Sequence, residues 1–213
     1  HADLKQWYAR PGDHFEVPVE SFVIDLVRDG LLIEVQTRGF SSMKEKLTTL
    51  LDLGHRIRIV HPIPAEKWIV KVEDDGTILD RRRSPKRGAV VDVFSELVSF
   101  PELVATQDLE IEVVLTREEE YRVHTPGRSW RRKGWSVMER RLIEVVESVS
   151  IRGLDDLIGL LPDGLPEPFT TADLAAVSGR PRRVAQQMAY CLRKTGVIEM
   201  VGKKGNTVEY VVV

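Results

Sequence analysis

Three short runs near the start of the chain, residues 14–19, 21–28 and 31–37, are rich in Val, Ile, Leu and Phe. Runs of this length and composition predict β-strands. Arg28-Asp29-Gly30 separates the second run from the third, and Asp-Gly readily takes the positive φ of a tight hairpin. Ahead of these strands, residues 2–9 place Leu4, Trp7 and Tyr8 on one helical face, closed by Pro11-Gly12. After them, Ser41 or Ser42 is the expected N-cap of a helix over 43–53, with Met43, Leu47, Leu50 and Leu51 as its apolar stripe and Gly54 as its stop. Residues 56–60 read as a buried strand running off into a loop at Pro62 and Pro64. Residues 68–72 and 77–80 read as a hairpin around Asp74-Asp75-Gly76.

Further on, the periodicity predicts helices over 90–99 and 137–148, a strand over 109–116, and an exposed, charged segment over 118–134. Residues 150–168 read as a short helix and a linker. The tail has a helix over 172–177 with Asp173 in its first turn, then a second over 181–194 with Pro181 at its first position. Two β-runs follow, 197–201 and 208–213, joined by Gly202-Lys203-Lys204-Gly205-Asn206. Helix, turn, helix and β-hairpin in this order resemble a winged helix-turn-helix. The expected fold class is therefore mixed α/β in three parts: residues 1–80, a basic middle segment 81–149, and a tail 150–213.

Composition narrows the field. The chain has 213 residues, 42% hydrophobic and 30% charged, which suits a packed globular chain and not a disordered one. No apolar run is long enough to span a membrane, and the opening HADLKQWYAR has no signal-peptide core. A cytoplasmic protein is expected. A single cysteine, Cys191, excludes an internal disulfide and a cysteine-based zinc site. The net charge of −2 hides an asymmetry, because residues 1–80 carry 10 basic against 14 acidic side chains and residues 170–213 carry 7 against 3. Two dense basic clusters lie between, Arg81 to Arg87 and Arg128 to Lys133.

Two carboxylates sit inside apolar strands, Asp25 in FVIDLV and Glu34 in LLIEVQ. A charge among Val, Ile and Leu is costly unless a cation or a metal answers it. Across the expected hairpin the two lie nearly opposite, on one face. A divalent cation relieves their repulsion, and two carboxylates with waters and a phosphate oxygen suit Mg²⁺ or Mn²⁺. Gln36 falls on the same strand face as Glu34. Lys44 and Lys46 follow in the next helix, where a lysine could orient a water or balance phosphate charge. Salt bridging of Glu34 to Arg38 or Lys46, with Asp25 as a strand-end hydrogen-bonding residue, is the purely structural alternative.

Helix, three strands, helix and strand, with Asp25, Glu34 and Gln36 in IDLVRDGLLIEVQT, resemble the PD-(D/E)XK nuclease superfamily in its Gln-variant form. The likeness covers roughly residues 1–70. It implies a restriction-endonuclease-like core and Mg²⁺-dependent hydrolysis of phosphodiesters, with Asp25 and Glu34 as metal ligands. Gln36 stands where the signature lysine would be, so a helix lysine must substitute, Lys44 first and Lys46 second. A Glu common on the family's first helix is missing from residues 1–9; it is expected on residues ahead of His1, or else Glu16 or Glu20 stands in for it. Many members act as dimers, so a homodimer fits the resemblance.

If the tail is a winged helix, its second helix reads DNA. Arg180, Arg182 and Arg183 crowd the end where backbone N–H groups favour phosphate, and Gln186 and Gln187 can address an adenine edge. Lys203 and Lys204 sit at the tip of the wing. Arg131, Arg132 and Lys133, between Trp130 and Trp135, add a further backbone clamp. The expected activity is a metal-dependent DNA nuclease. A catalytically silent DNA-binding protein of the same fold, or a protein-interaction scaffold, are the alternatives.

Overall fold

The computed structural model describes residues 2–127 and 134–213. The first helix, α1 (Ala2–Tyr8), leads into three antiparallel strands, β1 (His14–Val19), β2 (Phe22–Arg28) and β3 (Leu31–Val35). A 3-10 turn, Phe40–Met43, opens directly into α2 (Lys44–Asp52), and β4 (Arg56–Val72) then returns parallel to β3. β5 (Ile78–Arg83) folds back on the second half of β4. Three short turns follow: a 3-10 turn Val90–Val93, α3 (Phe94–Leu97) and a 3-10 turn Pro101–Ala105. β6 (Leu109–His124) runs parallel to β4, and β7 (Trp135–Ile151) runs antiparallel to β6. The sheet has seven strands, in the order β1-β2-β3-β4-β6-β7 with β5 paired to β4.

The tail consists of α4 (Leu154–Ile158), β8 (Phe169–Thr170), α5 (Thr171–Ser178), α6 (Arg182–Lys194), β9 (Ile198–Lys204) and β10 (Thr207–Val212). β8, β10 and β9 form a second, three-stranded sheet. Thr170 caps α5: its hydroxyl accepts the Ala172 and Asp173 N–H groups, and Asp173 accepts the Thr170 N–H in return. This reciprocal pattern ties down two donors that a helix start leaves unpaired.

Five elements differ from the sequence reading. β4 continues as one strand through Pro62 and Pro64 instead of breaking there. The Val60 carbonyl accepts from Gln36 N–H on the β3 side, so with a period of two Pro62 and Pro64 face that same side. β3 has ended at Val35, and their missing N–H groups therefore cost no ladder bond. Residues 137–148 are strand, not helix, and residues 118–124 are strand, not exposed loop. Residues 81–83 belong to β5. α2 begins at Lys44 out of the 3-10 turn with no side-chain cap; the Ser42 hydroxyl donates instead to the Gly39 carbonyl. The boundary expected at residue 80 falls inside β5, within the seven-stranded sheet.

One apolar cluster runs from the sheet into the tail. Leu32, Ile57, Ile59 and Ile111 meet Phe40, Leu47 and Leu50 on one side and Phe94, Leu97 and Phe100 beyond, then Ala185, Met188 and Leu192 of α6. A smaller cluster on the opposite face joins Leu4 and Tyr8 of α1 to Leu26, Ile33, Val35, Val60 and Val114. The helices on the two faces thus bracket the centre of β2 and β3.

Candidate functional site

The β2–β3 ladder ends with Leu26 paired to Ile33, and Asp25 and Glu34 are the next residue on each strand. Their side chains lock onto each other's strand. Glu34 Oε1 accepts the Asp25 N–H at 3.2 Å, and Asp25 Oδ2 accepts the Val35 N–H at 2.9 Å. A lysine from each helix completes the group. Lys5 of α1 places Nζ 2.5 Å from Asp25 Oδ1 and 2.6 Å from Glu16 Oε1. Lys46 of α2 places Nζ 2.6 Å from Glu34 Oε1 and donates to the Val23 carbonyl at 2.7 Å. Glu16 lies across β1 from Asp25, between the pairs Phe15–Leu26 and Val17–Ile24. Three carboxylates therefore share one row across β1, β2 and β3, interleaved with two ammonium groups.

Glu34 is only 9% exposed. Burial pushes its carboxyl above the usual range, against the opposing pull of Lys46. For Lys5, burial alone would lower the pKa, but hydrogen bonds to Asp25 and Glu16 outweigh it and raise the group. The two ammonium groups carry the charge balance of the row.

The structure brings together Asp25, Glu34, Lys46 and the stand-in Glu16 from the expected set and leaves out Lys44 and the Gln36 side chain. Lys44 is exposed at the first position of α2. A two-residue step turns a helix by roughly 200°, so only Lys46 of the two lysines turns to Glu34. The Gln36 side chain points along its own strand end, donating to the Arg38 carbonyl at 2.8 Å. The Gln36 carbonyl meets His61 Nδ1 at 2.7 Å, and His61 is buried against Phe40. Lys5 escaped the sequence reading because nothing local marks a residue that reaches its partner twenty positions away. Among the described residues, no group of three or more His, Cys, Asp or Glu is arranged to hold a metal ion.

The basic residues of the tail divide between two sides of α6. Arg182 and Gln186 line an outer groove with Tyr190, Arg193, Asn206 and Thr207. Arg180, Arg183 and Gln187 face the other way, into a cleft against the large sheet. Arg180 is committed there, with Nε 3.3 Å from Asp92 and Nη2 donating to the Arg87 carbonyl at 2.8 Å. Lys203 is exposed near the β9–β10 turn, while the Lys204 side chain lies outside the described part of the structure. Arg131, Arg132, Lys133 and Trp130 fall outside the described residues. Of the other basic cluster, Arg81 pairs with Glu119 at 2.8 Å, Arg83 pairs with Glu66, and both lie over the Trp68 ring. Those two cations are tied across the sheet.

The match to known families is decided over the segment that carries the large sheet. Residues 1–152 match the model of the family described as "Domain of unknown function (DUF8091)". The chain belongs to the DUF8091 family. This DUF8091 chain is also 31% identical over 213 residues to an uncharacterized protein of Treponema pallidum (strain Nichols), a match spanning 99% of this chain and 83% of the relative. No solved structure matches it. Within the DUF8091 segment lie Lys5, Glu16, Asp25, Glu34 and Lys46; α6 and its two faces lie beyond it.

Proposed function

We propose that this chain is a metal-dependent DNA nuclease with a restriction-endonuclease-like core and a winged-helix tail that binds DNA. The observation that carries the reading is the Asp25–Glu34 pair, facing across adjacent strands and flanked by Lys46 at 2.6 Å. The order helix, three antiparallel strands, helix and parallel strand supports it, as does the placement of the pair on the adjacent strands β2 and β3.

The donor set suits a hard cation. Mg²⁺ keeps several waters and needs only one or two protein carboxylates, and Asp25 and Glu34 are the two that would hold it. When bound, Mg²⁺ or Mn²⁺ would supply charge stabilisation at a phosphodiester and a more acidic water. The chain's own residues fix the rest. The Val35 and Asp25 N–H groups hold both carboxylates in place. Lys46 presents a positive charge beside Glu34, where it can neutralise phosphate or orient a water. On the tail, Arg182, Gln186 and Arg193 share the outer groove of α6, the side left free for a duplex. Their phosphate contacts would give affinity that falls with salt.

One observation favours a second reading, a catalytically silent DNA-binding protein: each carboxylate already holds an ammonium group, Asp25 that of Lys5 and Glu34 that of Lys46. Incubation of supercoiled plasmid with Mg²⁺ or Mn²⁺ separates the two. The nuclease reading expects nicking that Asp25→Ala and Lys46→Met reduce by at least a hundredfold (about 3 kcal/mol). DNA binding without nicking in either metal sinks it and leaves the silent protein. Arg182→Glu that leaves DNA affinity unchanged removes the tail from the reading.

A further inference from the structure

A cleft of about 740 Å³ separates α6 from the large sheet, and its wall includes Thr116 of β6 and Gln187 of α6. The volume falls in the range typical of small-molecule sites, about 300–1,000 Å³. Two features mark it as a binding site instead of a packing fault. The Thr116 hydroxyl is 1% exposed and meets no hydrogen-bond partner, and Gln187 Oε1 is likewise buried and unpartnered. Buried polar atoms are nearly always paired, because an orphan costs its full desolvation. Here two orphans from different elements line one space.

The charges around the cleft are equally informative. Of its acids, Asp92 is answered by Arg180, Glu118 by Lys67 and Glu139 by Arg141, while Asp3 accepts the Leu142 N–H and Glu96 the Gly39 and Phe40 N–H groups. Three of its cations are unanswered. Arg38, Lys86 and Arg183 are exposed on the cleft wall and have no ion-pair partner among the described residues. Apolar walls of Ile63 and Val184 lie between them. The cleft therefore offers a polar interior with an acceptor seeking an N–H donor, apolar sides, and a rim of free positive charge.

We propose that this cleft binds a nucleotide, its base hydrogen-bonded by Gln187 and Thr116 and its phosphate held by Arg38, Lys86 and Arg183. A base supplies the N–H donor that Gln187 Oε1 lacks and a flat face for the apolar walls. The phosphate supplies the charge-assisted partner that guanidinium and ammonium groups favour. The site is separate from the Asp25–Glu34 pair, and it stands whether or not that pair cuts DNA. The nucleotide is either free or the end of a single strand.

Binding of the full-length protein is measured by calorimetry with the deoxynucleoside 5′-monophosphates, a short 5′-phosphorylated single strand, and inorganic phosphate. Wild type, Thr116→Val, Gln187→Leu and Arg183→Ala are compared. Saturable binding of a monophosphate, weakened roughly three- to tenfold by Thr116→Val or Gln187→Leu, supports a free nucleotide. The same losses seen only with the oligonucleotide support a strand end. Thr116→Val should leave the denaturation midpoint unchanged or raised, since it removes an orphaned hydroxyl, so loss of binding cannot be read as loss of fold. Failure of both nucleotide probes to bind at millimolar concentration overturns the proposal. So does binding equal in all four proteins, or inorganic phosphate binding as tightly as the monophosphates.

Discussion

Replacing Lys46 with Met removes one partner of a nearly buried ion pair and keeps most of the apolar stem. The two side chains retain 16% and 11% of their exposure, and their charged atoms lie 2.6 Å apart. Breaking such a pair leaves an uncompensated carboxylate, which costs about 3–5 kcal/mol in a fully dry site. Glu34 keeps its bond from the Asp25 N–H, and the site is not fully dry, so a loss of roughly 2–3 kcal/mol at pH 8 is expected. The pH dependence is the sharper test. Burial already holds the Glu34 carboxyl above its usual range while Lys46 pulls it down. Without Lys46 it rises further. A folded carboxyl with a raised pKa binds its proton more tightly than the unfolded chain does. Its contribution is fully present below the ordinary carboxylate range and is lost as pH rises through the folded value. Lys46→Met should therefore cost least near pH 4 and most near pH 8. Urea denaturation followed by circular dichroism at the two pH values reads the difference, and Glu34→Gln added to Lys46→Met should recover part of the loss at pH 8. An equal loss at both pH values, or no recovery in the double variant, would refute the account of the site as a carboxylate row held by two ammonium groups.

Two further outcomes follow from buried groups elsewhere. Burial alone would raise the Glu120 carboxyl, but Arg122 and Lys67 outweigh it and hold it down to about 2; Glu120→Gln should cost about 3 kcal/mol at pH 7. Because the pKa is depressed, the wild-type advantage over Glu120→Gln is present above the ordinary carboxylate range and should fade as pH falls towards 2, measured by denaturation midpoints. Cys191 is 2% exposed, and burial pushes its thiol up to about 12. Labelling by a disulfide reagent should therefore proceed only as fast as the protein opens, and rapid labelling of the folded protein would contradict this packing of α6.

The front of the chain was legible because its strands are short apolar runs and the β2–β3 turn carries its own chemistry. Asp29-Gly30 fixes the hairpin register, and with it the facing of Asp25 and Glu34 followed directly. The β7 strand misled for a physical reason. Its register against β6 shifts between Leu115 and Thr116, between Arg117 and Glu118, and between Tyr121 and Arg122. Each bulge inserts a residue and flips the parity of those after it. Leu142 and Val145 both pack inward, and Val149 follows at four residues, so the spacing imitates a helix. Pro62 and Pro64 misled because their tolerance depends on where β3 stops, which no local window contains. The choice of Lys46 over Lys44 depended on where α2 begins, and the 3-10 turn before it moved that point. Lys5, Thr116 and the inward face of α6 are tertiary facts: they exist only once distant segments meet.

The continuous apolar cluster from the sheet to α6 bears on how this protein can be dissected. The family match ends at residue 152, which invites expression of that piece alone. Phe94, Leu97 and Phe100 are fully buried, and they share one cluster with Met188 and Leu192. Cutting after residue 152 would strip the cover from an aromatic surface and expose a patch of the kind that drives self-association. The family match stops there, yet cooperative unfolding would not: the shortest autonomous piece includes α6, and the tail behaves as the lid of the core more than as an appendage.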